Sequence, residues 1–98
     1  MLARQSPEKC VLLLYIAGMT PVARRALDNI GAICAEHLAG NYSLEVVDLL
    51  QCPECAGSRQ IFAVPTLVRQ TPLPLRKIIG DLANWAQVLD GLELREAQ

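Results

Sequence analysis

The first half of the chain alternates apolar strand patterns with one amphipathic helix. Residues 10–16 form an unbroken apolar run, which is typical of a strand buried on both faces of a sheet. Apolar side chains then recur at three- and four-residue steps over 21–38, with Thr20 as the N-cap and Pro21 in the first turn. Residues 42–48 fit a second strand. Strand, long helix, strand predicts a βαβ unit with parallel strands and a right-handed crossover.

The second half carries weaker and conflicting signals. Residues 49–63 contain turn formers within a segment that fits either one short helix or a loop. A strand is predicted over 66–70, and Pro65 suits its start because a proline cannot donate to the ladder. Pro72 and Pro74 predict a stiff extended link, since each disfavours helix in the residue before it.

The end of the chain fits a strand followed by a helix. Residues 76–80 predict the strand, and Asp81 is the predicted N-cap of the helix. Gly91 lies inside the helical pattern and weakens its end by about 1 kcal/mol relative to Ala. The predicted apolar face of this helix consists of Leu82, Trp85, Leu89 and Leu92.

Length and composition indicate one small domain. The 98 residues predict a single domain over 1–98, with tails at 1–9 and 95–98. The formal net charge of -1 argues against a nucleic-acid partner. No apolar run approaches the ~18–20 residues of a membrane span, and no signal-peptide pattern is present, so we expect a cytoplasmic protein without a membrane partner. A hydrophobic content of 52% favours surfaces buried in a homo-oligomer, a dimer or tetramer.

Four cysteines are the residues most suggestive of chemistry. Cys10 and Cys34 lie at predicted core positions, where they act as small hydrophobic side chains. Cys52 and Cys55 form a CxxC motif, which leaves a redox pair, a metal site or surface thiols that oxidise to a disulfide. In a reducing cytoplasm the default is free thiols. One CxxC supplies two of the four ligands that zinc requires, so we predict no metal site.

The remaining polar residues do not form a recognisable catalytic set. The sequence contains no nucleophile elbow, phosphate-binding glycine loop or paired carboxylates, and His37 has no partner at motif spacing. We therefore predict a protein that is not an enzyme and has no cofactor. The densest basic cluster is Arg69, Arg76 and Lys77, which on its own predicts a solvated strand face.

Six blocks of the sequence fall in the order and spacing of a known family. They make the chain resemble the KaiB family of circadian clock proteins over about residues 10–94. The block at 72–82 is the most specific. The blocks are YIAGMTP (15–21), RAL (25–27), VVDLL (46–50), AVPTL (63–67), PLPLRKIIGDL (72–82) and VLDGL (88–92).

The resemblance implies an α/β, thioredoxin-like fold in which the βαβ unit is followed by a fold-switching C-terminal half. In one state, usually a tetramer, this half pairs differently from thioredoxin. In the other, a monomer, it is thioredoxin-like and binds the N-terminal ring of the ATPase KaiC. Bound KaiB then captures KaiA or displaces a KaiB-like sensor histidine kinase. The fold-switch region would include Pro65, whose preceding bond is expected to be cis, together with Pro72, Pro74 and Gly91.

The resemblance also implies a partner surface on the first helix, the second strand and the basic residues after the proline link. Glu45 stands where clock-type members usually carry Lys, and Lys77 stands where Arg is usual and so loses the bidentate fork. We therefore expect a divergent KaiC-like ATPase as the partner. The alternatives are a docking module for a sensor histidine kinase and a dithiol oxidoreductase using the CxxC pair. The predicted partner-binding residues are Arg25, Ser43, Glu45, Arg69, Arg76 and Lys77.

Overall fold

The computed structural model describes residues 9–93, apart from the side chains of Ser58 and Arg59, as a β-α-β-α-β-β-α chain. The predicted tails at 1–9 and 95–98 lie outside the described residues, except for Lys9. No helix in the described range is long and apolar enough to cross a membrane. The elements are β1 (Cys10–Ile16), α1 (Pro21–His37), β2 (Tyr42–Asp48), α2 (Cys55–Arg59), β3 (Thr66–Thr71), β4 (Arg76–Ile79) and α3 (Trp85–Leu92).

A four-stranded mixed sheet has the order β2-β1-β3-β4. β1 and β2 are parallel from the pair Cys10 and Tyr42 to the pair Ile16 and Asp48, which confirms the predicted βαβ unit. β3 is antiparallel to β1, and β4 is antiparallel to β3. β2 and β4 are therefore the two edges of the sheet, and the centre is formed by the most buried strands, β1 and β3.

Helix α1 begins and ends at its sequence signals. The hydroxyl of Thr20 accepts a hydrogen bond from the backbone N–H of Ala23 at 3.1 Å, and Pro21 occupies the first turn. After the C-cap residue Leu38, the chain turns through Gly40 at a φ of 83°, a conformation that glycine adopts without steric cost. The buried face of α1 consists of Ala23, Ala26, Ile30, Ile33 and Cys34.

Both faces of the sheet are covered, and alternate residues of β1 point to each. Leu12 and Leu14 pack with α1, α3 and Leu67 in the larger cluster. Leu13 and Tyr15 point the other way and pack with Ile61 and Val68, beneath the segment that contains α2. This double burial explains the continuous apolar run of β1.

The C-terminal half follows the predicted order but begins its last helix later. The helix starts at Trp85 with Asn84 as its N-cap, because the Asn84 side chain accepts from the N–H of Gln87 at 3.2 Å. The prediction that Asp81 is this N-cap is wrong, since its carboxylate accepts from the N–H of Ala83 at 3.0 Å in the preceding turn. The doubtful segment after β2 is a turn followed by the five-residue helix α2.

Three positions of the predicted fold-switch region, Pro65, Pro72 and Pro74, lie at junctions of this half, and Gly91 lies in the last turn of α3. The bond before Pro65 is cis, as predicted, and the bonds before Pro72 and Pro74 are cis as well. Gly91 packs against β4: a Cβ at this position would come within 2.8 Å of the Cδ1 atom of Ile78, the far end of a side chain that can turn away.

Arg69 departs most strongly from the sequence prediction. We expected it on a solvated strand face, and this is wrong because its side chain is buried on the α3 side of β3. Its guanidinium donates to the carbonyl oxygens of Leu92 and Pro74, the second at 2.8 Å, and to the Glu93 carboxylate at 3.3 Å. Arg69 therefore joins β3 to the proline link and to the end of α3. The sequence could not show this, because the carbonyl oxygens it binds carry no residue signature.

Replacing Arg69 tests how strongly this connection stabilises the fold. We expect Arg69→Met to lower the free energy of unfolding by about 2 kcal/mol, because the Leu92 oxygen loses a charged donor in a buried site and the Pro74 oxygen loses one in a partly buried site. Urea unfolding followed by circular dichroism gives the difference. Lys77→Met, an exposed change on the neighbouring strand, is the matched control and should stay within about 0.5 kcal/mol of the parent chain. Equal midpoints for the two variants would contradict a stabilising role for Arg69.

Candidate partner-binding surface

Arg25 is held at the surface of α1 by a connection to the turn before α3. Its Nε atom lies 3.6 Å from an oxygen of the Asp81 carboxylate, and both side chains are substantially exposed. The Asn29 side chain donates to the backbone oxygen of Asp81 at 2.9 Å and accepts from the indole N–H of Trp85 at 3.2 Å. These bonds fix the position of α1 against the C-terminal half without covering Arg25.

Ser43 and Glu45 lie on β2, at one edge of the sheet. Ser43 is half-buried, whereas Glu45 is exposed and followed by the exposed Val46. Since no strand in the described part of the chain pairs with the outer side of β2, its outer backbone groups are available to another chain.

Arg76 and Lys77 lie on β4, at the opposite edge. Arg76 forms a hydrogen-bonded ion pair with the Glu93 carboxylate. The Arg76 and Arg69 guanidinium groups hold the pKa of Glu93 below its usual range, Arg76 having the larger effect. Lys77 donates to the backbone oxygen of Gln60 at 3.3 Å, across the α2 side of the sheet. No sequence pattern indicated that Glu93 would neutralise part of this basic cluster.

The six predicted partner-binding residues therefore do not form one patch. Three strand spacings of about 4.8 Å separate β2 from β4, so Ser43 and Glu45 lie roughly 14 Å from the β4 backbone. Arg25 lies on the helical layer beside Asp81. Arg69 is inside the fold and not available to a partner in this conformation.

A pocket of about 370 Å³ lies beside Pro65, at the turn between β1 and α1. Its lining is apolar apart from one hydroxyl group, and it contains no cysteine. Close by, the Asp48 carboxylate accepts from the backbone N–H groups of Gly18 and Leu50, both at 3.0 Å, and ties this turn to the end of β2. The lining residues are Ile16, Ala17, Thr20, Val22, Ala23, Val64 and Pro65.

The sequence did not predict that several apolar side chains near the pocket would be exposed. Val64 lines the pocket and is 41% exposed, Phe62 just before it is 92% exposed, and Leu50 is 71% exposed. Phe62 is the most exposed of the large apolar side chains in the described part of the chain. Single apolar residues in a loop carry no periodic signal, so the sequence did not distinguish them from core residues.

The cysteines divide into a bonded pair and two buried thiols. Cys52 and Cys55 form a disulfide at the start of α2, rather than the free thiols expected by default. They lie after β2, whereas the thioredoxin arrangement needs the pair at the turn after β1, beside Pro65. The geometry therefore does not favour the dithiol oxidoreductase. Among the described residues, no group of three or more His, Cys, Asp or Glu side chains is arranged to hold a metal ion.

Burial makes the other two thiols poor nucleophiles. Desolvation raises the pKa of Cys34 to about 12, with a smaller contribution from the nearby Cys10. Desolvation also raises the pKa of Cys10, against a smaller opposing effect of Arg69. Because the thiolate is the reactive form, both thiols should be almost inert at neutral pH.

Comparison with known proteins decides the family. The family model described as the KaiB domain matches residues 13–94. The chain belongs to the KaiB family. It is 42% identical to the circadian clock protein KaiB3 of a Synechocystis species, over 88% of this chain and 84% of that protein. It is 48% identical to the circadian clock oscillator protein KaiB of Microcystis aeruginosa, over 86% of this chain and 81% of that protein. The family is one of clock regulatory proteins and not of known enzymes.

Solved structures confirm the thioredoxin-like fold. The N-terminal domain of SasA from Synechococcus elongatus superimposes with a TM-score of 0.74 at 21% identity, covering 100% of this chain and 97% of that one. Thioredoxin from Fasciola hepatica superimposes with a TM-score of 0.70 at 16% identity, covering 95% and 86%. At these identities the likeness concerns the fold alone.

The contrast between the cysteines gives a direct chemical prediction. After reduction of the native protein, iodoacetamide at neutral pH should modify Cys52 and Cys55 and leave Cys10 and Cys34 unmodified, because only the first two are reached by solvent. Peptide mass spectrometry measures the modified fraction at each position. Denatured protein is the control and should be modified at all four. Rapid modification of Cys34 in the native protein would show that the core described here is wrong.

Proposed function

We propose that this chain is a KaiB-type regulatory protein that binds a KaiC-like ATPase in the thioredoxin-like conformation described above. The observation that carries the proposal is the combination of family membership over residues 13–94 with a thioredoxin-like C-terminal half. In this family the resemblance assigns ring binding to that conformer. Capture of a KaiA-like protein, displacement of a sensor histidine kinase, and dimer or tetramer formation remain predictions from the same resemblance.

The proposal includes a second fold of the C-terminal half, and backbone strain supports it. Gln60, Leu82 and Glu93 have φ values of 56°, 64° and 60°, a left-handed conformation that L residues adopt at a cost of roughly 1–2 kcal/mol each. Gln60 directly follows the short helix α2. Leu82 lies before α3, and Glu93 directly follows it. Strain of this size is comparable with the few kcal/mol that separate two packings of one sequence.

The N-terminal half supplies the contrast. In the described part of this half, the one non-glycine residue with a left-handed φ is Ala39, at the end of α1. The paired strands β1 and β2 and the capped helix α1 agree with the sequence signals at every boundary. We therefore propose that the βαβ unit is common to both folds and that the chain after β2 rearranges.

A minor binding-competent conformer would make partner binding slow and weak at first. If the thioredoxin-like conformer is a fraction of the molecules, the apparent dissociation constant rises by the inverse of that fraction. The ring then draws the population towards the bound fold. Slow conversion before binding is a physical means by which such a protein delays its partner's cycle.

Light scattering coupled to size exclusion tests this function. The full chain, alone over a dilution series and mixed with a KaiC-like ATPase and ATP, should change from an oligomer into protein bound to the ring. The Cys52–Cys55 pair is kept oxidised in every sample so that redox state does not vary. A constant monomer that does not join the ring would contradict the proposal.

Arg25 provides the first variant for the binding measurement. We expect Arg25→Ala to weaken ring binding by about tenfold, the effect typical of losing one contributing charged contact at an interface. The exposed ion pair with Asp81 should contribute 1 kcal/mol or less to stability, so the variant should remain folded. Arg24→Ala, also exposed on α1, is the matched control. Equal affinities for the two variants would remove Arg25 from the proposed surface.

Glu45 provides a variant expected to gain affinity. Glu45→Lys restores the charge that clock-type relatives usually carry at this position, and it should strengthen binding to a cyanobacterial-type KaiC ring about tenfold. Glu36→Lys makes the same charge change at an exposed position of α1 and controls for net charge. If both variants gain equally, the effect is general electrostatic attraction and Glu45 has no specific place at the interface.

A further inference from the structure

The Cys52–Cys55 disulfide closes the segment that covers the second face of the sheet. Cys55 is the first residue of α2, and its side chain packs against the cluster formed by Leu13, Tyr15, Ile61 and Val68. Both bonded cysteines are half-buried, so each sulfur is near the surface while the segment beneath is apolar. The disulfide therefore joins half-buried Cys52 to Cys55, whose side chain packs against the core.

Helix α2 is too short to be stable without its surroundings. A five-residue helix is far shorter than the ~12–15 residues at which helices become stable on their own. The N-cap residue Glu54 makes no side-chain capping bond. Backbone bonds in the segment include those from Cys52 to Asp48 at 3.0 Å, from Cys55 to Cys52 at 3.0 Å and from Ile61 to Ala56 at 3.0 Å. Lys77 adds a bond to the Gln60 oxygen at 3.3 Å, and Ala56 and Ile61 pack on the sheet. The disulfide adds a covalent closure of the turn at the start of α2.

The other thiols cannot take the place of this pair. Cys10 and Cys34 are buried in the larger cluster on the opposite face of the sheet. The Cys52–Cys55 bond therefore has no competing thiol at the surface among the described residues. Intracellular disulfides, where they occur, are usually transient and redox-sensing rather than structural, and a cytoplasmic location is what we expect for this chain.

We infer that Cys52 and Cys55 are a thiol–disulfide exchange site whose oxidation state sets how firmly the segment 49–61 is held on the sheet. The substrate class is a dithiol reductant, a small dithiol or the exposed thiol pair of a protein. A thiolate of the reductant attacks one sulfur, the Cys52–Cys55 bond breaks, and the displaced thiolate takes a proton. The second thiolate of the reductant then attacks the reductant sulfur of the mixed disulfide, the bond from that sulfur to the cysteine breaks, and the released cysteine thiolate takes a proton. Two electrons and two protons pass to the cysteines, and the reductant leaves as a disulfide.

The exchange is stoichiometric with this chain and is not the catalytic cycle of an oxidoreductase, since the pocket beside Pro65 contains no cysteine. Its consequence for partner binding rests on the proposed function. The oxidised segment 49–61 stabilises the thioredoxin-like conformer, so reduction should lower the fraction of molecules that the ring can bind.

Hydrogen exchange of the full chain tests the site without any partner. Reduction by dithiothreitol should speed amide exchange in peptides covering 49–61 by at most roughly 20-fold, the loop-closure value for a ring this short. Peptides covering α1 should not change. Hydrogen peroxide, which takes two electrons and two protons from the thiols and leaves as water, should restore the slow exchange. The Cys52→Ser, Cys55→Ser double variant should match the reduced protein and ignore both reagents.

Two results would overturn the site: four free thiols by mass spectrometry after peroxide treatment, or equal exchange over 49–61 in the oxidised and reduced protein. Ring binding is then compared in the two redox states. Tighter binding by the oxidised protein supports the link to the conformer, and equal binding in both states overturns that link. If neither state binds the ring while the exchange result holds, the proposed function has failed and the exchange site stands.

Discussion

The buried guanidinium of Arg69 is the contact on which the arrangement of the C-terminal half depends. A charge taken out of water is costly unless several groups neutralise and bind it. Here those groups come from different places: the oxygen of Pro74 in the link, the oxygen of Leu92 at the end of α3, and the carboxylate of Glu93. The two terminal NH2 groups of Arg69 find these partners only when link, hairpin and helix are together, whereas its buried Nε has no partner among the described residues. The charge therefore makes the assembly of these elements cooperative.

The βαβ unit and the C-terminal half differ in how their structure is specified. The βαβ unit has local signals for every boundary and a continuous apolar strand buried on both faces. The later elements are short, and their junctions contain left-handed non-glycine residues such as Leu82 and Glu93. The structure of the βαβ unit is specified by local sequence signals, and that of the C-terminal half by long-range contacts. This division agrees with the proposal that the C-terminal half has a second packing.

The sequence predicted the local features and missed those that depend on tertiary contacts. Thr20 as N-cap, the parallel strands and the cis bond before Pro65 follow from residue type or from family resemblance, and all are confirmed. Asp81 is the predicted cap of α3, but Asn84 takes that place, and residue type alone does not separate the two because Asn and Asp are similarly favoured at N-caps. The sequence predicts Arg69 to be a surface residue, because the residues next to it in the chain do not indicate the backbone oxygens of Leu92 and Pro74 that it binds. The partner-binding residues stay a prediction, and the structure adds that they lie on separate surfaces.

Amide NMR of the full chain at two concentrations tests the account most directly. A C-terminal half with two folds predicts two sets of signals for residues 49–93 and for the β1 and α1 residues that contact them, in proportions that change on dilution. It also predicts that Arg69→Met, which removes the cooperative contact, shifts the proportions away from the thioredoxin-like set. A single set of signals for every residue at both concentrations, in the parent chain and in the variant, would contradict it.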